Sequence, residues 1–108
     1  MSCIYEVNCF LQKDAVDEFL TFLDSHAREL LALEGFKSAD IYIPEEDINC
    51  PADAKVVTAV YKLDSREALQ NYFDNHAPRL KADTMRLFEG RIKGATRRIM
   101  SLNKSFTS

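Results

Sequence analysis

One segment of this chain occurs twice, and the repetition limits the fold more than any other feature. Residues 22–32 read FLDSHARELLA, and residues 72–82 read YFDNHAPRLKA. Extended back to Val7 and Val57, the two stretches align without a gap at an offset of 50, with seven of 26 positions identical. Sequences of average composition would share roughly one or two. The identities are Val7/Val57, Asp14/Asp64, Asp24/Asp74, His26/His76, Ala27/Ala77, Leu30/Leu80 and Ala32/Ala82. Further on, EGF at 34–36 meets EGR at 89–91. A chain of 108 residues has room for one core, so the two copies must build it together.

The elements follow from periodicity. In residues 3–11, Cys3, Tyr5, Val7, Cys9 and Leu11 face one way, and Ile4, Glu6, Asn8 and Phe10 the other. Asp14 suits a helix N-cap, with Asp17 and Glu18 in the first turn. Val16, Phe19, Leu20, Leu23, Ala27, Leu30 and Leu31 then keep helical spacing, and Gly35 suits the left-handed residue that ends a helix. Residues 36–43 read as a second strand. Residues 44–55, with two prolines and four acids, read as a long exposed connection. VVTAVYKL at 56–63 is the strongest strand. Asp64 and Glu67 form a capping-box pattern before a second helix, which Pro78 should kink or restart near His76–Ala77. Gly90 closes it, residues 91–100 read as a fourth strand, and residues 101–108 as a frayed tail.

The order strand, helix, strand, strand, helix, strand predicts an α+β domain over residues 1–100. Its plan is the ferredoxin-like βαββαβ, with a four-stranded antiparallel sheet. Two βαβ halves related by a pseudo-twofold axis would leave such a repeat, with His26 and His76 at equivalent positions.

Charge and composition exclude several classes. A net charge of −3 argues against a nucleic-acid surface, and the basic run at 90–98 reads as an exposed strand whose charges discourage edge pairing. No apolar run approaches the ~20 residues of a membrane span, and the start lacks the pattern of an export signal. The three cysteines, Cys3, Cys9 and Cys50, have no metal or redox spacing. A reduced, cytoplasmic protein is expected.

Neither histidine has the i, i+3 or i, i+4 partner of a helical metal site, and Asp24 and His26 point about 200° apart on a helix. No metal site is expected. A structural place at a helix bend or end suits both histidines. His76 is the better candidate for a ligand contact, because it precedes the break at Pro78 and Arg79 follows it.

Val7, Cys9, Val57, Ala59 and Tyr61 form a small apolar sheet face suited to lie under the helices. The opposite face carries Glu6, Asn8, Phe10, Val56, Thr58, Val60 and Lys62, and nothing further in the sequence is expected to cover it. A second copy, face to face, is the economical partner. On these residues the chain resembles the dimeric α+β-barrel group. Its segments IYEVNCFL, HARELLALEGF and YFDNHAPRLKADTMRLFEGR are similar to a small bacterial family known only as a domain of unknown function. The most specific part is H-A-P-x-L at 76–80 with F-x-G-R at 88–91.

Wider members of that group, such as antibiotic-biosynthesis monooxygenases, hold a ligand between sheet and helices, some without a cofactor and some with haem. The resemblance makes Glu6, Asn8, Thr58, His76 and Arg91 the candidate ligand-binding residues. Asn8 and Thr58 have the alternative role of a cross-strand pair, and Glu6 that of an ion pair with Lys62, Arg97 or Arg98. No haem is expected, since no histidine lies on a strand face, and no other cofactor is implied. The expected function is a homodimeric binding or regulatory module. The alternative is a small cofactor-independent oxygenase or isomerase acting on an organic substrate.

Overall fold

A computed structural model describes residues 2–47 and 49–108. β1 (Cys3–Gln12) is followed by a 3-10 turn, Lys13–Ala15, and then by α1 (Val16–Leu31). β2 (Phe36–Tyr42) and β3 (Ala54–Leu63) come next, then α2 (Arg66–Asn75), α3 (Ala77–Leu87) and β4 (Ile92–Ser101). The strands form one antiparallel sheet in the order β2-β3-β1-β4, the ferredoxin-like arrangement.

The two central strands run in register from Cys3 opposite Leu63 to Gln12 opposite Ala54. Asn8 lies opposite Thr58, and these two are separated by 50 residues. The helices also meet across that separation, where Arg79 donates to Glu29 at 2.8 Å.

One sheet face carries the core. Cys3, Tyr5, Ala59, Tyr61 and Leu63 pack with Leu30, Leu69, Tyr72 and Leu80 from the helices. A second cluster joins Leu11 and Val57 to Phe19, Leu23 and Phe88. Of the helix-facing set anticipated from alternation, Val57, Ala59 and Tyr61 are buried and Val7 and Cys9 half-buried, while Phe10, Val56 and Thr58 on the opposite face are buried as well.

Three local expectations change and one holds. Asp14 does not cap α1; its carboxylate accepts from Gln12 at 2.6 Å, and the 3-10 turn leads into the helix. Ser65, not Asp64, caps α2, its Oγ accepting from the Ala68 N–H at 3.1 Å. Ser65 lies in extended backbone at the helix start, where a short hydroxyl side chain reaches that N–H. Residues 44–53 are not a free connection. Cys50 and Ala54 pack onto Phe10 and Val56, so part of the face expected to lie open is covered within the chain. Ile48, in the same connection, lies outside the described residues. Pro78 does restart the helix: α2 ends at Asn75, His76 joins the two segments, and the proline enters the first turn of α3, where its missing N–H costs nothing.

Gly35 holds α2 against the turn between α1 and β2. Its φ is +89°, and a Cβ there would come within 2.4 Å of the Ala68 Cβ. Gly90 has a similar φ of +78° but open space around it. Gly35→Ala should therefore cost about 2–4 kcal/mol, backbone strain plus overpacking, and Gly90→Ala only about 1 kcal/mol from strain. Urea denaturation of both variants checks this; equal losses would show that the Ala68 contact carries no weight.

Candidate functional site

The most apolar opening among the described residues lies on the buried side of the sheet. A cavity of about 610 Å³ separates β1 and β4 from α1 and α3. Its floor is built by alternate residues of the strands. Tyr5, Val7 and Cys9 of β1 point inward, as do Val57, Ala59 and Tyr61 of β3. Val7 pairs with Arg97 and Cys9 with Ala95, so these two β4 side chains share that face. The helices supply Phe22 and His26 from α1, Tyr72 and Phe73 from α2, and Ala77, Lys81 and Thr84 from α3.

Aromatic contacts order the walls. Tyr5 and Tyr61 stack at 6.2 Å, and Phe73 meets Tyr5 edge-on at 5.3 Å. The His26 ring stacks on Phe22 at 5.1 Å. Burial lowers the pKa of His26 below the ordinary histidine value against the opposing charge of Glu29, so its imidazole is neutral at pH 7. Burial raises Tyr5, opposed by the neighbouring Arg97 guanidinium, and raises the Cys9 thiol against the same charge. Tyr72 is pushed up to about 12, and Tyr61 also rises, both chiefly by burial. The cavity at neutral pH therefore presents neutral phenols, a thiol and a neutral imidazole, with a cation at one side.

The opposite sheet face holds a polar network. Thr58 Oγ donates to Asn8 Oδ1 at 2.6 Å, and Asn8 Nδ2 donates to Glu6 at 3.1 Å and to Thr96 at 3.4 Å. Arg98 clasps Glu6 with two bonds, at 2.8 and 3.0 Å. That pairing, more than the Asn8 bond, lowers the Glu6 pKa despite partial burial. The groove around the network is rimmed by Phe10, Tyr42, Pro44 and Val60.

The structure thus separates the five candidates taken from the sequence. Glu6, Asn8 and Thr58 converge, but on the side away from the helices. His76 lines neither space; it forms the joint between α2 and α3, its N–H bonding Tyr72 O at 2.9 Å and its carbonyl accepting from Leu80 N–H at 3.2 Å. Arg91 lies over the Phe88 ring at 5.0 Å, pairs with Glu18 and donates to Leu87 O at 2.8 Å. It ties the start of β4 to α1. The cavity histidine is His26, and sequence reasoning ranked it second because Pro78 made its counterpart look the more exposed. Arg97 was considered only as a partner for Glu6, whereas it lies opposite Val7 and faces the cavity. Pairing register was the missing signal, since only the alignment of β4 on β1 decides which basic residues face the helices.

With that geometry in hand, comparison becomes informative. The family model described as "Domain of unknown function (DUF4286)" matches residues 2–102. The chain belongs to this family. Among curated proteins none matches the sequence. Solved structures share the fold. SnoaB, a cofactor-independent oxygenase from Streptomyces nogalater, is 12% identical with a TM-score of 0.71 over 100% of both chains. A candidate antibiotic biosynthesis monooxygenase from Deinococcus radiodurans is 9% identical with a TM-score of 0.73, over 98% of this chain and 97% of its own. The heme-degrader MhuD from Mycobacterium tuberculosis, solved with two hemes in its active site, is 15% identical with a TM-score of 0.69, over 96% of this chain and 99% of its own. At such identities the likeness establishes the ferredoxin-like fold of the antibiotic-biosynthesis-monooxygenase type.

The two segments on which the resemblance rested have physical roles. In H-A-P-x-L, His76 is the helix joint, Pro78 opens α3, and Ala77 and Leu80 enter the core. In F-x-G-R, Phe88 is buried, Gly90 makes the turn at positive φ, and the Arg91 N–H bonds Phe88 O at 2.9 Å.

His26 also makes a pH test possible. Its folded-state pKa is depressed, so the unfolded chain binds the proton more readily, and stability falls as pH drops below the unfolded value of about 6.5. Glu6 is depressed too, but its contribution is lost only below about 4.5. Thermal melts should show a decline between roughly pH 7 and 5 that His26→Leu abolishes and His76→Gln keeps. A decline surviving His26→Leu would assign it to another group.

Proposed function

We propose that this chain is a cytoplasmic binding domain for a small organic molecule, working as a homodimer through the open sheet face. The observation that carries the reading is the 610 Å³ cavity, walled by three tyrosines, a phenylalanine–histidine stack and a few polar groups. Its size and mainly apolar lining match those of small-molecule sites, which run from about 300 to 1,000 Å³. SnoaB is a cofactor-independent oxygenase and MhuD a heme-degrader with heme in its active site, both on the same fold, which supports the reading without supplying a ligand.

The dimer reading rests on the other face. Val60 and Tyr42 border the Asn8–Thr58 network there, with no helix among the described residues over them, while Cys50 and Ala54 cover Phe10 at one end. The contacts between residues 50 apart, Asn8–Thr58 in the sheet and Glu29–Arg79 between helices, support an origin of the chain by internal duplication. A pseudo-twofold axis relating the halves would pass through both pairs.

A second reading, a small cofactor-independent oxygenase or isomerase, is favoured by His26. A neutral imidazole on the wall of an apolar cavity can accept a proton from a weakly acidic substrate. The two readings differ in whether the bound molecule is changed.

Native mass spectrometry of gently purified protein tests both. The expected species is a dimer carrying one small molecule per chain. A monomer would overturn the dimer, and a bare dimer that takes up no organic ligand would leave an interaction module. Recovery of the molecule unaltered after incubation in air favours binding, and its conversion, lost in His26→Gln, favours the enzyme. Asn8→Leu with Thr58→Val should leave the dimer intact by light scattering; dissociation would make the polar pair the determinant of the interface.

A further inference from the structure

The mouth of the cavity has a charge pattern that the rest of the chain lacks. Three cations line it, Lys81 from α3 with Lys93 and Arg97 from β4, and no aspartate or glutamate among the described residues does. None of the three appears in an ion pair among the described residues. This occurs in a protein with a net charge of −3. Two nearby acids are already committed: Glu29 of α1 to Arg79, and Asp83 of α3 to Arg79 and Arg86. Neighbouring β4 shows the contrast, for Arg98 is neutralised by Glu6 on the other face while Arg97 is not.

Arg97 also sits beside the hydroxyl end of a stack. Its charge opposes the rise that burial gives the Tyr5 phenol, and Tyr5 is stacked on Tyr61. A guanidinium next to a phenol offers parallel donors to a planar anion. Beyond them lie flat aromatic walls, the Tyr5–Tyr61 stack and the Phe22–His26 stack.

We infer that the ligand is a small aromatic acid, its ring body lodged among the cavity aromatics and its anionic group held by Arg97 with Lys81 and Lys93 at the mouth. This inference rests on the binding reading above and specifies its ligand class. It requires the anion to lie at the β4 side, since the α1 side offers only the neutral imidazole of His26.

The test uses two fluorescent probes that share one ring skeleton, anilinonaphthalene sulfonate and the neutral N-phenylnaphthylamine. The full chain is titrated with each. The expected result is saturation at one site per chain, with the sulfonate binding about tenfold tighter. Arg97→Gln should bring the sulfonate to the level of the neutral probe, and Arg97→Lys should keep most of the preference; Arg97 is exposed on an edge strand, so folding is not at issue. Ala95→Trp, which fills the cavity from its exposed rim, should abolish both signals. Equal affinity of the two probes for the unmodified chain would overturn the anionic assignment while leaving the cavity as a binding site. Binding of neither would overturn both. Sulfonate binding that survives Ala95→Trp would place the probe elsewhere and overturn the assignment.

Discussion

The pairing of β1 with β3 is the constraint on which the rest of the molecule depends. These strands occupy the centre of the sheet, and their register decides which residues meet on each face. A slip of one residue in β1 would turn Tyr5 and Val7 away from the helices and bring Glu6 beneath them; the same slip in β3 would turn Ala59 and Tyr61 away and bring in Lys62. Burying those charges without their partners would cost far more than the apolar area returned. The Thr58–Asn8 hydrogen bond, at 2.6 Å, adds a polar marker for the correct register. It lies midway along the ladder, where a shift in either direction breaks it.

From that centre the two halves diverge, and function follows the divergence. The first half builds one helix, α1, of 16 residues, with His26 in its interior. The second half places proline where the first has Arg28, and its helix divides into α2 and α3. The matching histidines then lose their equivalence. His26 is held on the helix face toward the sheet by its stack on Phe22, while His76 becomes the joint. Matching positions in the two segments therefore do not share one role.

Much of the architecture could be read from residue order because it depends on short-range rules. Alternation in CIYEVNCFL and VVTAVYKL marked the helix-facing side, and Pro78 marked the helix restart. The site was less legible. Glu6, Asn8 and Thr58 could be grouped because strand alternation places them on one face, and the structure keeps them together. Arg91 could not be judged, since its partner Glu18 lies 73 residues away and only the folded chain joins them. The cover that Cys50 and Ala54 give to Phe10 and Val56 was hidden for a related reason. A segment with neither helical nor strand period carries no local signal of where it will lie.

The basic run in β4 shows how an averaged property can mislead. As a string, RIKGATRR is one patch of positive charge. As a strand, it is two sets of side chains divided by the pleat. Arg98 falls on the open face opposite Glu6, where the ion pair removes both charges from further use. Arg97, one residue earlier, falls opposite Val7 and faces the cavity, where no carboxylate among the described residues meets it. β4 is an edge strand, so neither position is sealed by a neighbour on its outer side. Two adjacent arginines thus do opposite things: one neutralises a carboxylate on the open face, and the other leaves a positive charge at the opening of an aromatic cavity.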